Sequence, residues 1–164
     1  MIDELSLVPV SISYEYDPCD LDKARELYTR ATAGSYTKAP GEDDRSIAKG
    51  ITGYKGRVHI AFAAPLRDAS NDAKQLAQDI DKHILGNYRL FPVHYLAYAM
   101  WEGREAELNV PIASQVFDAA ELAKAEAQWN KRLAACSAEE KPFLILQYAN
   151  PVRNQYRIKA GLPL

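Results

Sequence analysis

The stretch Leu7-Val8-Pro9-Val10-Ser11-Ile12-Ser13-Tyr14 alternates with a period of two. Val8, Val10, Ile12 and Tyr14 fall on one side and Leu7, Pro9, Ser11 and Ser13 on the other, the pattern of a strand with one face turned to a core. Pro9 has no amide to give a ladder, so it belongs near a strand start or on an edge. The same alternation returns in Arg57-Val58-His59-Ile60-Ala61-Phe62 and runs out at Pro65. Between the two, Asp17-Pro18-Cys19-Asp20 reads as a turn and a helix cap. Asp20 is expected to accept first-turn amides, and Asp22 suits the positive end of the helix dipole. Leu21, Ala24, Leu27, Tyr28 and Ala31 then repeat at helical spacing until Gly34. Residues 35–44 read as loop, and residues 43–52 as a shorter helix broken by Gly53 and Gly56. A connection of this length is not a tight hairpin. The default for strand, helix and strand is a parallel pair with a right-handed crossover. On that face pattern Val10 and Ile12 are expected to be buried.

Working outward, the rest of the chain reads as helix. Ala73, Leu76, Ala77, Ile80 and Ile84 form a stripe that Gly86-Asn87 stops. Pro92 opens a helix with Tyr95, Leu96, Ala99 and Met100 as its candidate buried face, ending at Gly103. Residues 118–135 form another, with Leu122, Ala125, Trp129 and Leu133 inward. A last helix covers residues 139–150, broken or kinked at Pro151. The expected fold class is therefore α/β. A short parallel strand–helix–strand unit over residues 1–66 is followed by a mainly helical region over residues 67–164, packed on it within one domain.

At 164 residues the chain can bury a sizeable core. Twenty basic against 22 acidic side chains leave a net charge of −2, which gives no footprint for nucleic acid. The longest apolar runs fall far short of the roughly 20 residues of a membrane span. Met1 is followed by Ile2-Asp3-Glu4, which is not the start of a signal peptide. Cys19 and Cys136 have no metal or redox spacing and fit free thiols in a reducing cytoplasm.

Four phrases carry a resemblance. Val8-Pro9-Val10-Ser11-Ile12, Tyr14-Glu15-Tyr16-Asp17-Pro18-Cys19-Asp20, Lys55-Gly56-Arg57-Val58-His59 and Asn87-Tyr88-Arg89-Leu90 together resemble the C-terminal part of bacterial glycerolipid acyltransferases of the lysophosphatidic acid acyltransferase type. The likeness covers residues 5–95. It implies transfer of a fatty acyl group from coenzyme A or acyl carrier protein to a lysophospholipid or similar hydroxyl acceptor, in phospholipid biosynthesis at the cytoplasmic membrane face. It implies no cofactor or metal. It also places the substrate-binding strand, Val8, Pro9, Val10 and Ser11, beside the active-site cleft.

The family's catalysis rests on a His-x-x-x-x-Asp block, in which the Asp orients an imidazole that takes the acceptor's proton. The residues five places after His59, His83 and His94 are Ala64, Tyr88 and Ala99, so no histidine here fits. Glu102-Gly103-Arg104 imitates the start of the family's phosphate-holding Glu-Gly-x-Arg block. It is followed by Glu105, lies after the Val-Pro-Val strand instead of before it, and reads as a helix end. The chain is therefore expected to be inactive alone, its partner being a missing N-terminal catalytic half or a second copy of itself. A non-catalytic protein-interaction module is the alternative. Arg57 and His59 could face a phosphate, but as alternating residues of a strand their default reading is its solvent-facing or helix-covered side. Ser11 and Ser13 could bond substrate or mark where a helix packs close to the sheet. Cys19 has no adjacent base and reads as a turn or buried thiol. Arg153, Arg157 and Lys159 make a small basic tail that could touch an anionic membrane surface.

Overall fold

A computed structural model describes residues 6–67 and 72–163; the reading of residues 1–4 lies outside them. Its elements run β1 (Val10–Tyr14), α1 (Asp20–Ala33), α2 (Glu42–Thr52), β2 (Val58–Phe62), α3 (Ala73–Gly86), α4 (Pro92–Met100), α5 (Ala119–Ala135) and α6 (Lys141–Lys159), with two short 3-10 turns between α4 and α5. The mixed α/β class and the helical second half hold.

The strand direction does not. β1 and β2 pair antiparallel, with Val10 opposite Phe62, Ile12 opposite Ile60 and Tyr14 opposite Val58. The expectation of a crossover fails because α1 and α2 form an excursion that returns to the end of β1 it left from. The ladder continues into that excursion: the Glu15 amide donates to the Arg57 carbonyl and the Tyr16 amide to the Lys55 carbonyl, both at 2.9 Å. It continues at the other end through the Ala63 amide and the Pro9 carbonyl, also at 2.9 Å.

The sheet's faces are also the reverse of expectation. Ser11 and Ser13 are buried, 2% and 0% exposed, whereas Ile12 is 49% exposed. Val10 is half-buried. The serine face is covered because α3 packs on β1 and the chain after α3 crosses it, the Arg89 amide donating to Ser13 Oγ at 2.8 Å. Small hydroxyl side chains allow that close approach. The apolar face has no layer over it among the described residues, and Val58, Ile60 and Phe62 are all exposed.

The core lies in the helices instead. α4 sits at its centre, packed chiefly on α6 and then on α5, while α1 packs on α6. Val93, Ala97, Leu144, Ala149 and Val152 are wholly buried. The buried side of α4 is Val93, His94, Tyr95, Ala97 and Tyr98, and Ala99 and Met100 face outward. The helix is enclosed on more sides than one stripe would require. In α5, Ala125 and Trp129 are buried as expected and Leu122 and Leu133 half-buried. α6 does not stop at Asn150 but passes through Pro151 to Lys159. An interior proline costs about 3 kcal/mol. The second half of α6 is held against that cost by buried Val152, by Gln155 donating to the Leu85 and Tyr88 carbonyls, and by Arg153 and Arg157 gripping Glu105.

Candidate functional site

The hairpin and the turns at its closed end carry the phrases that the sequence singled out. Tyr14-Glu15-Tyr16 leaves β1 just where Lys55-Gly56-Arg57 enters β2, so two of them form one unit. Glu15 is buried, and its carboxylate takes three hydrogen bonds from Arg57: from the amide at 3.0 Å, from Nε at 3.1 Å and from Nη2 at 3.1 Å. The remaining guanidinium nitrogen donates to Glu121 of α5 at 2.6 Å, and the guanidinium lies 5.1 Å from the centre of the Phe91 ring. Hydrogen bonding to Glu15 holds the Arg57 pKa above its usual value. Gly56 is obligatory at this join. Its φ is +63°, and a Cβ there would stand 2.7 Å from Glu15 Oε2 and 2.9 Å from the Tyr16 ring. Glu15, Tyr54, Gly56, Arg57, Glu121 and Lys124 line a cleft of about 430 Å³. Arg57 is thus a clasp between two carboxylates, and His59 lies half-buried on the serine side of β2.

Val8, Pro9, Val10 and Ser11 are not brought to one surface. Alternation sends Pro9 and Ser11 inward and leaves Val8 exposed and Val10 half-buried on the opposite face. Ser11 Oγ has no hydrogen-bond partner among the described residues.

A second node lies where α1, α5 and α6 meet. Asp20, 1% exposed, is the first residue of α1 and not the residue before it, but its Oδ1 accepts the first-turn amide of Leu21 at 2.8 Å, as expected. Cys19 occupies the cap position, and Asp17 Oδ1 accepts the Cys19 amide at 2.8 Å. One Asp20 oxygen takes the Tyr148 hydroxyl at 2.6 Å and an ion pair from Arg132, and its carbonyl accepts from Gln147 Nε2. The Tyr148 hydroxyl also accepts the Asp17 amide at 3.0 Å. Burial, reinforced by the Asp20 charge, pushes the Tyr148 phenol far up, so it serves as a donor. Arg132 lies 4.7 Å from the Tyr16 ring centre, and burial raises that phenol to about 12.

None of the three histidines is paired with a carboxylate among the described residues. His94 is wholly enclosed. Burial lowers its pKa to about 3, with contact to the Tyr14 backbone working against the shift. Its Nδ1 accepts the Phe91 amide at 3.0 Å, so the neutral ring is a packing and hydrogen-bonding element. Cys19 donates weakly to the Ser46 carbonyl at 3.5 Å, and burial raises its thiol pKa, the opposite of nucleophile activation. No group of His, Cys, Asp and Glu among the described residues could hold a metal ion, and no described helix is long and apolar enough to cross a membrane. The basic residues Arg153 and Arg157 are occupied by Glu105.

Reading the sequence missed Glu15 and Arg132. Both are charged residues whose importance lies in partners distant along the chain, Arg57 and Asp20, and no local spacing signals such a pair. Comparison with protein-family models, with curated proteins and with solved structures gives no match.

Proposed function

We propose that this chain is a non-catalytic component of a glycerolipid acyltransferase-like protein, with the acid–base residues supplied by a separate polypeptide segment. The observation that carries this reading is the hairpin. The two phrases most like the family, Tyr14-Glu15-Tyr16 and Lys55-Gly56-Arg57, meet in it through the Glu15–Arg57 clasp. Among the described residues no histidine–carboxylate pair able to take a proton from an acceptor hydroxyl stands beside them. The substrate class is an acyl thioester and a lysophospholipid, and the chain's part is structural, with the Val8–Ser11 strand beside the acceptor cleft.

The test is an acyl-transfer assay with an acyl-coenzyme A and lysophosphatidic acid. The chain alone gives no turnover. Mixing it with a separately produced polypeptide bearing a His-x-x-x-x-Asp block, encoded beside it, restores transfer. Turnover by the chain alone that vanishes in His59→Ala overturns the reading, and so does transfer by the companion that is indifferent to adding this chain. The uncovered apolar face of the hairpin favours a second reading, a stand-alone protein-interaction module. That reading gains if the mixture is inactive while the chain is a well-ordered binder of another protein.

A further inference from the structure

We propose that the open face of the hairpin is a homodimer interface, on which a second copy of this chain packs sheet to sheet about a two-fold axis. This inference is independent of the acyl-transfer reading. The face consists of Val8, Ile12, Tyr14, Val58, Ile60 and Phe62, which are 42, 49, 36, 48, 53 and 74% exposed. Among the described residues no charged side chain belongs to it, and Lys55 stands at its rim beside Tyr14. Such a continuous apolar surface on one side of a sheet marks an interaction site.

The layout of the face says what covers it. Tyr14 stands opposite Val58 at one end of the ladder, and Phe62 opposite Val10 at the other. The two aromatic rings therefore occupy one diagonal of the face and the two small valines the other. Ile12 and Ile60 face each other in the middle. A second copy placed face to face is related by an axis lying between the sheets. When that axis runs across the strands, Tyr14 lands on the partner copy's Val10 position and Phe62 on its Val58 position, ring into hollow at both ends. Both isoleucines then lie on the axis and meet their own counterparts. Large against small across facing sheets is how sandwich cores fill space.

Charge selects this axis over one running along the strands. Lys55, whose ammonium lies 6.0 Å from the Tyr14 ring centre, sits at the Tyr14–Val58 end. The crosswise axis sends the two Lys55 side chains to opposite ends of the interface, whereas the lengthwise axis brings them to the same end.

Area sets the strength. The six side chains expose roughly 500 Å² per copy, so a pair buries roughly 1,000 Å², the low end for a specific interface. The dimer is accordingly one in reversible exchange with monomer. Pairing through the free edge of β2 instead would leave the apolar face in water, so the face, not the edge, is the contact.

Sedimentation of the full chain over a wide concentration range reads this out. The expected result is a reversible monomer–dimer equilibrium. Phe62→Glu and Ile60→Glu should each weaken association at least tenfold, with circular dichroism and thermal midpoint unchanged at concentrations where the chain is monomeric, because both positions are exposed in the monomer. Ile60→Cys, treated with a short bis-maleimide that spans the roughly 10 Å between facing sheets, should give a covalent dimer that a Lys124→Cys control does not. A monomer at every concentration overturns the proposal. A dimer untouched by both glutamate substitutions also does, since another surface then holds it. Association with phospholipid vesicles in place of self-association assigns the face to a lipid surface and likewise overturns it.

Discussion

Asp20 and Arg132 form an ion pair with almost no access to water, their side chains being 2% and 17% exposed. Removing one member of such a pair strands the other, which costs about 3–5 kcal/mol. Arg132→Leu should therefore lower the free energy of unfolding by about 3 kcal/mol or more, measured by chemical denaturation. A loss no larger than that of an exposed salt bridge would show that the Tyr148 hydroxyl and the Leu21 amide suffice for the carboxylate. His94 makes a second residue-level prediction, in pH. Its folded pKa, about 3, lies below the ordinary value near 6.5. Between those values the unfolded chain binds a proton that the folded chain excludes. Stability from this group is thus fully present above about pH 6.5 and falls as pH drops toward 3, by up to ~1.4 kcal/mol per pH unit. Denaturation midpoints across that window should show the slope, and His94→Leu should flatten it while lowering stability at neutral pH through the Phe91 amide it leaves without an acceptor. An identical slope in the variant would assign the acid sensitivity to the carboxylates alone.

The elements differ in how far they can be read from the chain. Apolar residues at helical spacing place α1, α3, α4 and α5, and the glycine and proline boundaries place α2 and the first half of α6, because these signals do not depend on which partner covers the helix. Strand direction depends on where α1 and α2 return the chain, and nothing within residues 7–14 or 57–62 encodes that. The buried face of β1 is ambiguous for a related reason. Alternation defines two faces, and the covering helix α3, not hydrophobicity, selects the one with Ser11 and Ser13. This inversion makes two neighbouring serines behave differently. Ser13 Oγ accepts the Arg89 amide, and losing it leaves a buried donor unpaired, at a cost of about 1–3 kcal/mol. Ser11 Oγ has no partner among the described residues, so its hydroxyl is a desolvated group without compensation. Ser13→Ala should destabilise, whereas Ser11→Ala should be neutral or stabilising. Equal losses at the two positions would show that Ser11 is satisfied by a buried water.

The whole molecule divides its stability unevenly. α4 and α6 contain most of the fully buried side chains, whereas α2 and α3 contain none. The candidate site straddles this division. The Asp20 node is built into the helical core, where its partners come from α5 and α6. The Glu15–Arg57 clasp joins the hairpin to that core through Glu121 and the Phe91 ring. What sequence could not show about the site follows from this, since both nodes are made by residues far apart in the chain. Elements with little buried area open locally at less than the global free energy. Native-state hydrogen exchange should therefore rank the amides. Those in the middle of α4 and α6 should exchange only through global unfolding, and those of α2 and α3 well before it. The β1–β2 ladder should lie between, because its serine face is sealed and its apolar face is not. If the face pairs with a second copy, protection of the ladder should rise with protein concentration while that of α2 and α3 stays fixed. Uniform protection across all eight elements would instead mean that the molecule opens only as a unit and that hairpin and helical core share one cooperative structure.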